Sequence, residues 1–479
     1  MRQFKIVLIL FLLGCISNLR GQEKVFMAGA SQIDITPPLG LELIGNFAEN
    51  FAGNIHDPLH AKSLVLDDGN SKIAIVIVDN LGVTEKVFEQ AKEYIQNEIG
   101  LKKDHVLIAS THTHSGPDAG EFYMSETEPL TEYGKFLARK IADGVTTSHH
   151  NLEPAKIAWG GVAVPEHVFV RRWFMKDSVY SPYGTKDIVA MNPGTMNPNI
   201  VKPSGPVDPE VSFISLQATS GRPISVLANY SLHYVGWVPK GDISADYFAL
   251  FGAYLGQKLS VDEDMKYPPF VGIMSNGTSG NVNNNDYGKP RGETRSVDRP
   301  YEQMDYVARD VAEKVYKALQ KVKYSSWVPL GGELSVLPLK THRASPEVMA
   351  NVARILDRPD SDKPLYSSRE KIYAKRILKM ELEWPDEIEV QLQALRIGDL
   401  GITGLPFEAF TQIGLEIKDK SPFKDTFTIE LANGDYLYLP TPQEVELGGY
   451  ETWLSIRTVE KYASDKITKR LLEQLNSLK

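Results

Sequence analysis

Two histidines one residue apart, His112 and His114, lie in the run Thr111-His112-Thr113-His114-Ser115-Gly116-Pro117. Imidazole binds metals as a neutral ligand and also moves protons near neutral pH, so the pair could do either. Three further stretches carry comparable groups. Asn229-Tyr230-Ser231-Leu232-His233 ends on a histidine, and His233 taken alone reads more readily as a hydrogen-bonded core histidine than as a ligand. Gly404-Leu405-Pro406-Phe407-Glu408 sets a carboxylate just after a turn, where complementing a helix N-terminus is the simpler role for Glu408. Residues 275–285 are dense in small and amide side chains. Gly277 and Gly280 there let backbone approach a ligand closely, although a plain Asn/Gly turn has the same composition. Together these groups are what a catalytic zinc needs, about three or four N/O ligands with a position left for water. The pKa of such a water falls to about 7. No His-Glu-x-x-His helix is present, which excludes a metalloprotease of that kind.

Those residues need strand ends and turns to carry them. Residues 105–109 are short and apolar and read as a buried strand, stopped by Gly116 and Pro117. Alternation along a strand then sends His112 and His114 to one face, at a strand end, where open α/β sheets hold their sites. A strand at 72–78 and a helix at 85–99 precede it, a β-α-β order that predicts parallel pairing with helices packed on the sheet. Further helices are expected at 130–145, 246–259 and 301–321, and strands at 155–162, 211–217, 224–232 and 270–274. Residues 181–208, rich in Pro, Gly and Asn, read as a long loop of the kind that is often functional. After Lys323 the pattern changes. A short strand at 334–337 is stopped by Pro338, helices follow at 346–356 and 368–382, and 389–397 with 400–404 reads as a hairpin. A helix starting at Glu408, a strand at 426–431 and an amphipathic helix at 461–478 complete the chain. The fold class is α/β, with mixed β-sheets and packed helices. A soft boundary falls near residue 330, and the second part could equally extend the first.

A length of 479 residues allows two or three domains. The net charge of -9, with no basic stretch to offset it, argues against nucleic acid as a partner. Residues 1–21 read as a signal peptide: Arg2 and Lys5 precede an apolar core at 6–13 that is too short to span a bilayer. Cleavage could follow Gly21. Alternatively Leu12-Leu13-Gly14-Cys15 resembles a lipoprotein box, with Cys15 as the lipid anchor. Either way the chain is expected to be exported, to the periplasm, the outer membrane or the medium. Cys15 is the only cysteine, so no intramolecular disulfide forms and any metal site must use His, Asp, Glu, Asn or Tyr.

The motifs resemble those of the neutral/alkaline non-lysosomal ceramidase family, over about residues 28–450. Residues 111–117 are nearly identical to the family's histidine motif, and 229–233 match its second histidine strand. Residues 280–285 fall on its Gly-Asp-Val-Ser-Pro-Asn segment, and 405–408 on its Pro-Gly-Glu segment. Tyr438-Leu439-Pro440-Thr441-Pro442-Gln443-Glu444, followed by Tyr450, resembles its Tyr-x-Thr-Thr-Pro-Glu-Glu run and later tyrosine. The resemblance implies Zn2+ held by His112, His233, Glu408 and Tyr438. It makes His114 the base and Tyr450 the donor to the oxyanion. Tyr438 alone would read as a packed strand aromatic. Arg171, with Arg172 as the alternative register, falls near the Asn-Arg-Ser segment and could contact substrate; the bland alternative is a solvated pair. The family's serine aligns with Asn283 and its preceding aspartate with Asn281. Asn cannot attack as serine does, but Asn283 could still donate a hydrogen bond. Pro406-Phe407-Glu408 lacks the family's glycine, and the family's C-terminal β-sandwich is not expected here.

These features together predict one catalytic domain at 22–455 and a C-terminal helix at 456–479. The expected function is an exported zinc-dependent hydrolase in which zinc-bound hydroxide cleaves an amide, with an N-acyl sphingoid or related N-acyl substrate. The alternatives are a related hydrolase of polar, glycan-derived or ester substrates, and a non-catalytic binding protein on the same fold. A small-molecule or lipid substrate and a peripheral or lipid-anchored membrane association are expected, without an obligate protein partner.

Overall fold

The computed structural model describes residues 24–45, 48–119, 129–261, 268–290, 293, 299–455 and 457–479. The signal segment and Cys15 lie outside them. β1 (Met27–Asp34) pairs antiparallel with β2 (His60–Asp67), and β2 with β3 (Lys72–Val78). The run Ile73-Ala74-Ile75-Val76-Ile77-Val78 is buried on both faces, as expected for a strand covered on two sides. Helix α1 (Glu85–Ile99) turns its Val87, Phe88, Ala91 and Ile95 inward and ends at Gly100 in the left-handed region, a common helix stop. β4 (Val106–Ser110) then lies parallel to β3, so the predicted β-α-β unit is present. Helix α2 (Glu132–His150), capped by the Thr131 hydroxyl on Gly134 N, leads to β5 (Glu153–Ala163).

Residues 181–208 are not one long loop. They supply two strands of a small antiparallel sheet, β6 (Arg172–Tyr180), β7 (Lys186–Met191) and β8 (Ile200–Pro203), with β6 in the centre. Backbone pairing accounts for what composition alone assigned to loop. β9 (Glu210–Ala218) returns beside β5, and β10 (Pro223–Tyr230) beside β9. After α3 (Asp246–Lys258), β11 (Val271–Asn276) pairs parallel to β10. The large sheet therefore runs β11-β10-β9-β5-β1-β2-β3-β4.

Following α4 (Glu302–Leu319), a second sheet begins. β12 (Leu330–Lys340) continues through Pro338, contrary to the expected stop. It is an edge strand, where a missing N–H is tolerated. Helices α5 (Pro346–Leu356) and α6 (Glu370–Glu383) precede the hairpin of β13 (Glu387–Ile397) and β14 (Leu400–Gly404). Glu408 does not start a helix. It lies in the two-residue strand β15 (Glu408–Ala409), and α7 (Thr411–Lys420) begins later. β16 (Asp425–Ile429) pairs parallel to β14, β17 (Tyr438–Leu439) pairs parallel to β15, and α8 (Ala463–Leu478) closes the chain.

The two sheets face each other. Leu64, Ile73, Ile75 and Ile77 of the first share one core with Leu395, Ile397, Ile402 and Phe427 of the second. Helices α1 and α2 pack on the far side of the first sheet, as do α3 and α4. Helices α7 and α8 cover the second. The layers are α, β, β, α. The sheet changes at Leu330, but the apolar core runs across that point. Among the described residues no helix is long and apolar enough to cross a membrane.

Candidate active site and metal centre

The site lies where the C-terminal ends of β4 and β10 meet the β15–β17 pair. β4 stops at Ser110, so strand alternation does not place the two histidines. Backbone bonds carry the chain onward, from Thr111 N to Val78 O (2.9 Å) and from His112 N to Asn80 O (2.9 Å). His112 itself takes a left-handed backbone, φ 71°, which is uncommon for a residue with a Cβ and turns its ring into the site. Its Nδ1 faces Leu81 O at 2.8 Å. His114 Nδ1 faces Gly45 O at 3.0 Å, and its ring stacks flat on Tyr234 at 3.7 Å. β10 ends at Tyr230. His233 therefore stands beyond the strand, with Nδ1 3.4 Å from Ser279 Oγ.

Both carbonyls can only accept, so His112 and His114 each carry a proton on Nδ1, and each neutral ring presents its lone pair at Nε2. Those lone pairs converge. His112 Nε2 is 3.2 Å from His233 Nε2 and 3.2 Å from His114 Nε2. Glu408 Oε2 is 3.2 Å from His112 Nε2 and 3.9 Å from His233 Nε2, yet is buried without a well-directed hydrogen bond. Three imidazole nitrogens and an orphaned carboxylate oxygen around one point are the donor set of a cation site. The three histidines form the group able to hold a metal among the described residues.

Burial and the neighbouring charges divide the three imidazoles. Burial works against protonation of His112, but the Glu408 carboxylate outweighs it and raises its pKa to about 8. Burial, reinforced by the charges of His112 and Arg171, holds His114 well below the usual imidazole range. Burial and Arg171 do the same to His233. Burial pushes the nearby Glu430 up to about 8, against hydrogen bonds from Ser279 and the positive charge of His112.

Parallel pairing of β15 with β17 sets Glu408 directly beside Tyr438. Arg171 lies over the Tyr438 ring, 5.4 Å from its centroid. Its Nη1 is 3.2 Å from His233 Nε2, its Nη2 donates to Gly280 O (2.8 Å) and its Nε to Glu451 Oε1 (2.9 Å). Arg172 is fully buried and points the other way, to Glu451 Oε2 (2.7 Å) and Glu444 Oε2 (2.9 Å). The pair is therefore not solvated, and Arg171 is the one that reaches the histidines. Glu451 ties the two arginines together. In the sequence it is an ordinary acid beside Tyr450, without a motif to mark it.

His112, His114, Glu408, Tyr438 and Tyr450 line one side of a cavity of about 160 Å³. The Tyr450 ring packs edge-on against Tyr438 and Trp453. Asn283 does not line this cavity. Its amide donates to Asn192 Oδ1 and Tyr287 Oη, each at 3.0 Å. Asn281 caps α7, accepting from Thr411 N at 2.8 Å. Gly280 sits so close to β15 that a Cβ would lie 2.4 Å from Glu408 O, a close approach only glycine allows.

Comparison with known proteins adds two findings. The family model described as neutral/alkaline non-lysosomal ceramidase, N-terminal, matches residues 26–297. That segment contains His112, His114, Arg171, His233 and Asn283, whereas Glu408, Tyr438 and Tyr450 lie beyond it. The fold is similar to that of a neutral ceramidase from Pseudomonas aeruginosa, with a TM-score of 0.68 and 16% identity over 95% of this chain and 75% of that one. A solved structure described as a ceramidase complexed with C2 matches with the same figures.

Proposed function

The chain belongs to the neutral/alkaline non-lysosomal ceramidase family and is a ceramidase-like hydrolase; we propose that it depends on zinc, cleaves the amide of an N-acyl sphingoid or related N-acyl substrate and, on the composition of residues 1–21, is exported. The observation that carries the metal reading is the convergence of three Nε2 atoms and Glu408 Oε2. Zinc bound there would supply a Lewis acid that activates water and polarises a carbonyl. His112, His233 and Glu408 would hold it, with Tyr438 beside Glu408 as the fourth ligand. His114 is partly exposed where the other two histidines are buried. Its neutral Nε2 is free to take a proton from the attacking water and to return it to the leaving nitrogen. Tyr450 faces the same cavity and donates to the oxygen that gains charge. Arg171 keeps positive charge against Tyr438 and His233.

Two observations support variants of this reading. His114 Nε2 is as close to His112 as His233 is, which favours His114 as a third imidazole ligand. The outer wall of the cavity carries His342, Arg376, Glu460 and Lys461 beside Tyr373 and Trp453, which favours a substrate with a polar part. The amides at 281–284 do not add to that second case, because Asn281, Asn283 and Asn284 are bonded within the protein.

Metal analysis with a substrate screen tests the proposal. Purified protein should hold close to one zinc per chain. It should release fatty acid from N-acyl sphingoid lipids faster than it cleaves glycan or ester substrates, and a chelator should stop it. Turnover by metal-free protein would overturn the mechanism, and preference for a glycan or ester would overturn the substrate. Export rests on the composition of residues 1–21, and the intact mass of the mature protein separates cleavage after Gly21 from lipidation at Cys15.

A further inference from the structure

We propose that a second cavity, along α3, binds a monocarboxylate with an apolar body and is anchored by Lys62. Alternation along β2 is regular. Ala61 and Val65 join the core under α1 and α2, and Leu64 and Leu66 join the core between the two sheets. Lys62 shares the face of Leu64 and Leu66, so a charge stands where the pattern calls for an apolar side chain. The residue is only 4% exposed. Lysine is rarely buried so far unless paired, because an unpaired charge away from water is costly. Yet among the described residues no hydrogen bond or ion pair reaches its ammonium. The buried acid Asp79 feels the charge of Lys62, but it accepts from His60 N at 2.9 Å and forms no ion pair with the lysine.

The cavity measures about 530 Å³, within the range of small-molecule pockets, and shares no lining residue with the catalytic cavity. Lys62 and His60 line it together with Gln32, which lies directly across from Lys62 on β1. His60 Nδ1 is buried without a hydrogen bond, so a second polar group there lacks a partner. The other charges are already matched. Asp57 accepts from Ala245 N (2.8 Å) and faces His56 Nδ1 (2.7 Å). Arg222 pairs with Glu153 and donates to Pro268 O (3.1 Å). One ammonium is left over, which calls for one negative charge. Much of the remaining wall is apolar, from Pro223, Pro269 and Phe270 to Ala249, Ala253 and Gly256 of α3. Gly252 serves packing, since a Cβ there would lie 2.4 Å from Gly272 O. Gly256 does not: a Cβ would meet the Phe270 ring at an ordinary 3.4 Å, and the missing side chain keeps the cavity open. A bare inorganic anion would satisfy Lys62 and leave these walls wet, so the ligand class is a carboxylate on an apolar body. The fatty acid released by the proposed amide cleavage belongs to that class, but the site stands on its own residues whatever the substrate of that reaction.

Octanoate is the probe, titrated calorimetrically into the purified protein. Lys62→Met keeps the length of the side chain and removes its charge. It should weaken octanoate binding about 10–100-fold, the usual worth of a hydrogen bond to a charged group, and leave the binding of uncharged octanol unchanged. Gly256→Leu fills the space from α3. It should abolish octanoate binding while metal content and turnover stay at wild-type levels. Neither substitution touches the histidines, so octanoate held there by a metal would be unaffected by both. Wild type that fails to bind octanoate, or affinity that survives both substitutions, would overturn the inference. Inorganic phosphate binding as tightly as octanoate would do the same, since the apolar walls would then contribute nothing. If Lys62→Met does not fold, unchanged octanoate affinity in Gly256→Leu overturns the site by itself. A protein that turns over no N-acyl substrate would sink the hydrolase reading and leave the octanoate result standing.

Discussion

Alanine at position 112 and alanine at position 114 should part company. His112→Ala removes the nitrogen on which three other donors converge, and the protein should lose both metal and turnover. His114→Ala should keep its zinc and lose roughly 10²–10⁴-fold in rate, the usual worth of a positioned base. Metal content of the two purified variants decides the matter. If both shed the ion, His114 is a ligand and the base must be sought elsewhere. A second residue away from the site predicts a pH effect. Burial, helped by the charge of Lys62, lowers the pKa of His60 to about 4, and its Nδ1 is buried without a hydrogen bond. Between about 4 and 6.5 the unfolded chain binds a proton at His60 that the folded one refuses, so this residue costs stability as pH falls. Relative to wild type, His60→Gln should gain about 2 kcal/mol between pH 7 and pH 4.5, read from urea midpoints. A pH-independent difference would mean the ring is not held neutral. At this scale the reactive residues were legible in the sequence because histidines and a glutamate fell in motifs. Ser279, Glu430 and Glu451 were not, since a serine and two acids acquire meaning only from what they touch.

The elements that hold the site differ in how openly the sequence declares them. β3, β4 and β10 are continuous apolar runs and stand out. β15 and β17 have two residues each, too short to show a period, and Glu408 after a turn imitates a helix start. Pro338 suggested a stop because the sequence does not reveal that β12 is an edge. The small sheet around β6 was hidden by Pro, Gly and Asn, which usually mark turns. A prediction belongs here as well. Gly280 N donates to Ala409 O at 2.8 Å, and any Cβ at 280 would strike the backbone of Glu408. Gly280→Ala should push β15 away from the histidines. We expect a loss of about 1–3 kcal/mol, as for other overpacked sites, together with weakened zinc binding. Unchanged zinc affinity in a stable variant would show that the seam does not set the position of Glu408.

For the molecule as a whole, the sequence offered a soft boundary near residue 330, and the second sheet does begin at Leu330. What the sequence could not show is that both sheets contribute to one core and that the site draws on both. His112 and His233 come from the first part, Glu408 and Tyr438 from the second. A metal bound across that junction stabilises the folded state by mass action, about 2.7 kcal/mol at a free concentration one hundred times Kd. Chelation should therefore lower the melting temperature of the full chain and zinc should restore it, whereas His112→Ala should melt at the same temperature with or without zinc. A chelator-insensitive wild type would count against a metal that bridges the two parts.

The β15–β17 pair also bears on the order of events during folding. His112 and Glu408 are separated by about 300 residues of chain, and closing so long a loop is entropically slow. The β-α-β unit that carries His112 is local and can assemble early, on a nascent chain as well as in a refolding tube. Glu408 and Tyr438 reach it only after the long intervening stretch has been made and the second sheet has docked. In refolding experiments, zinc uptake should therefore trail the recovery of helical signal, and the ion would act as a late seal on the docked sheets.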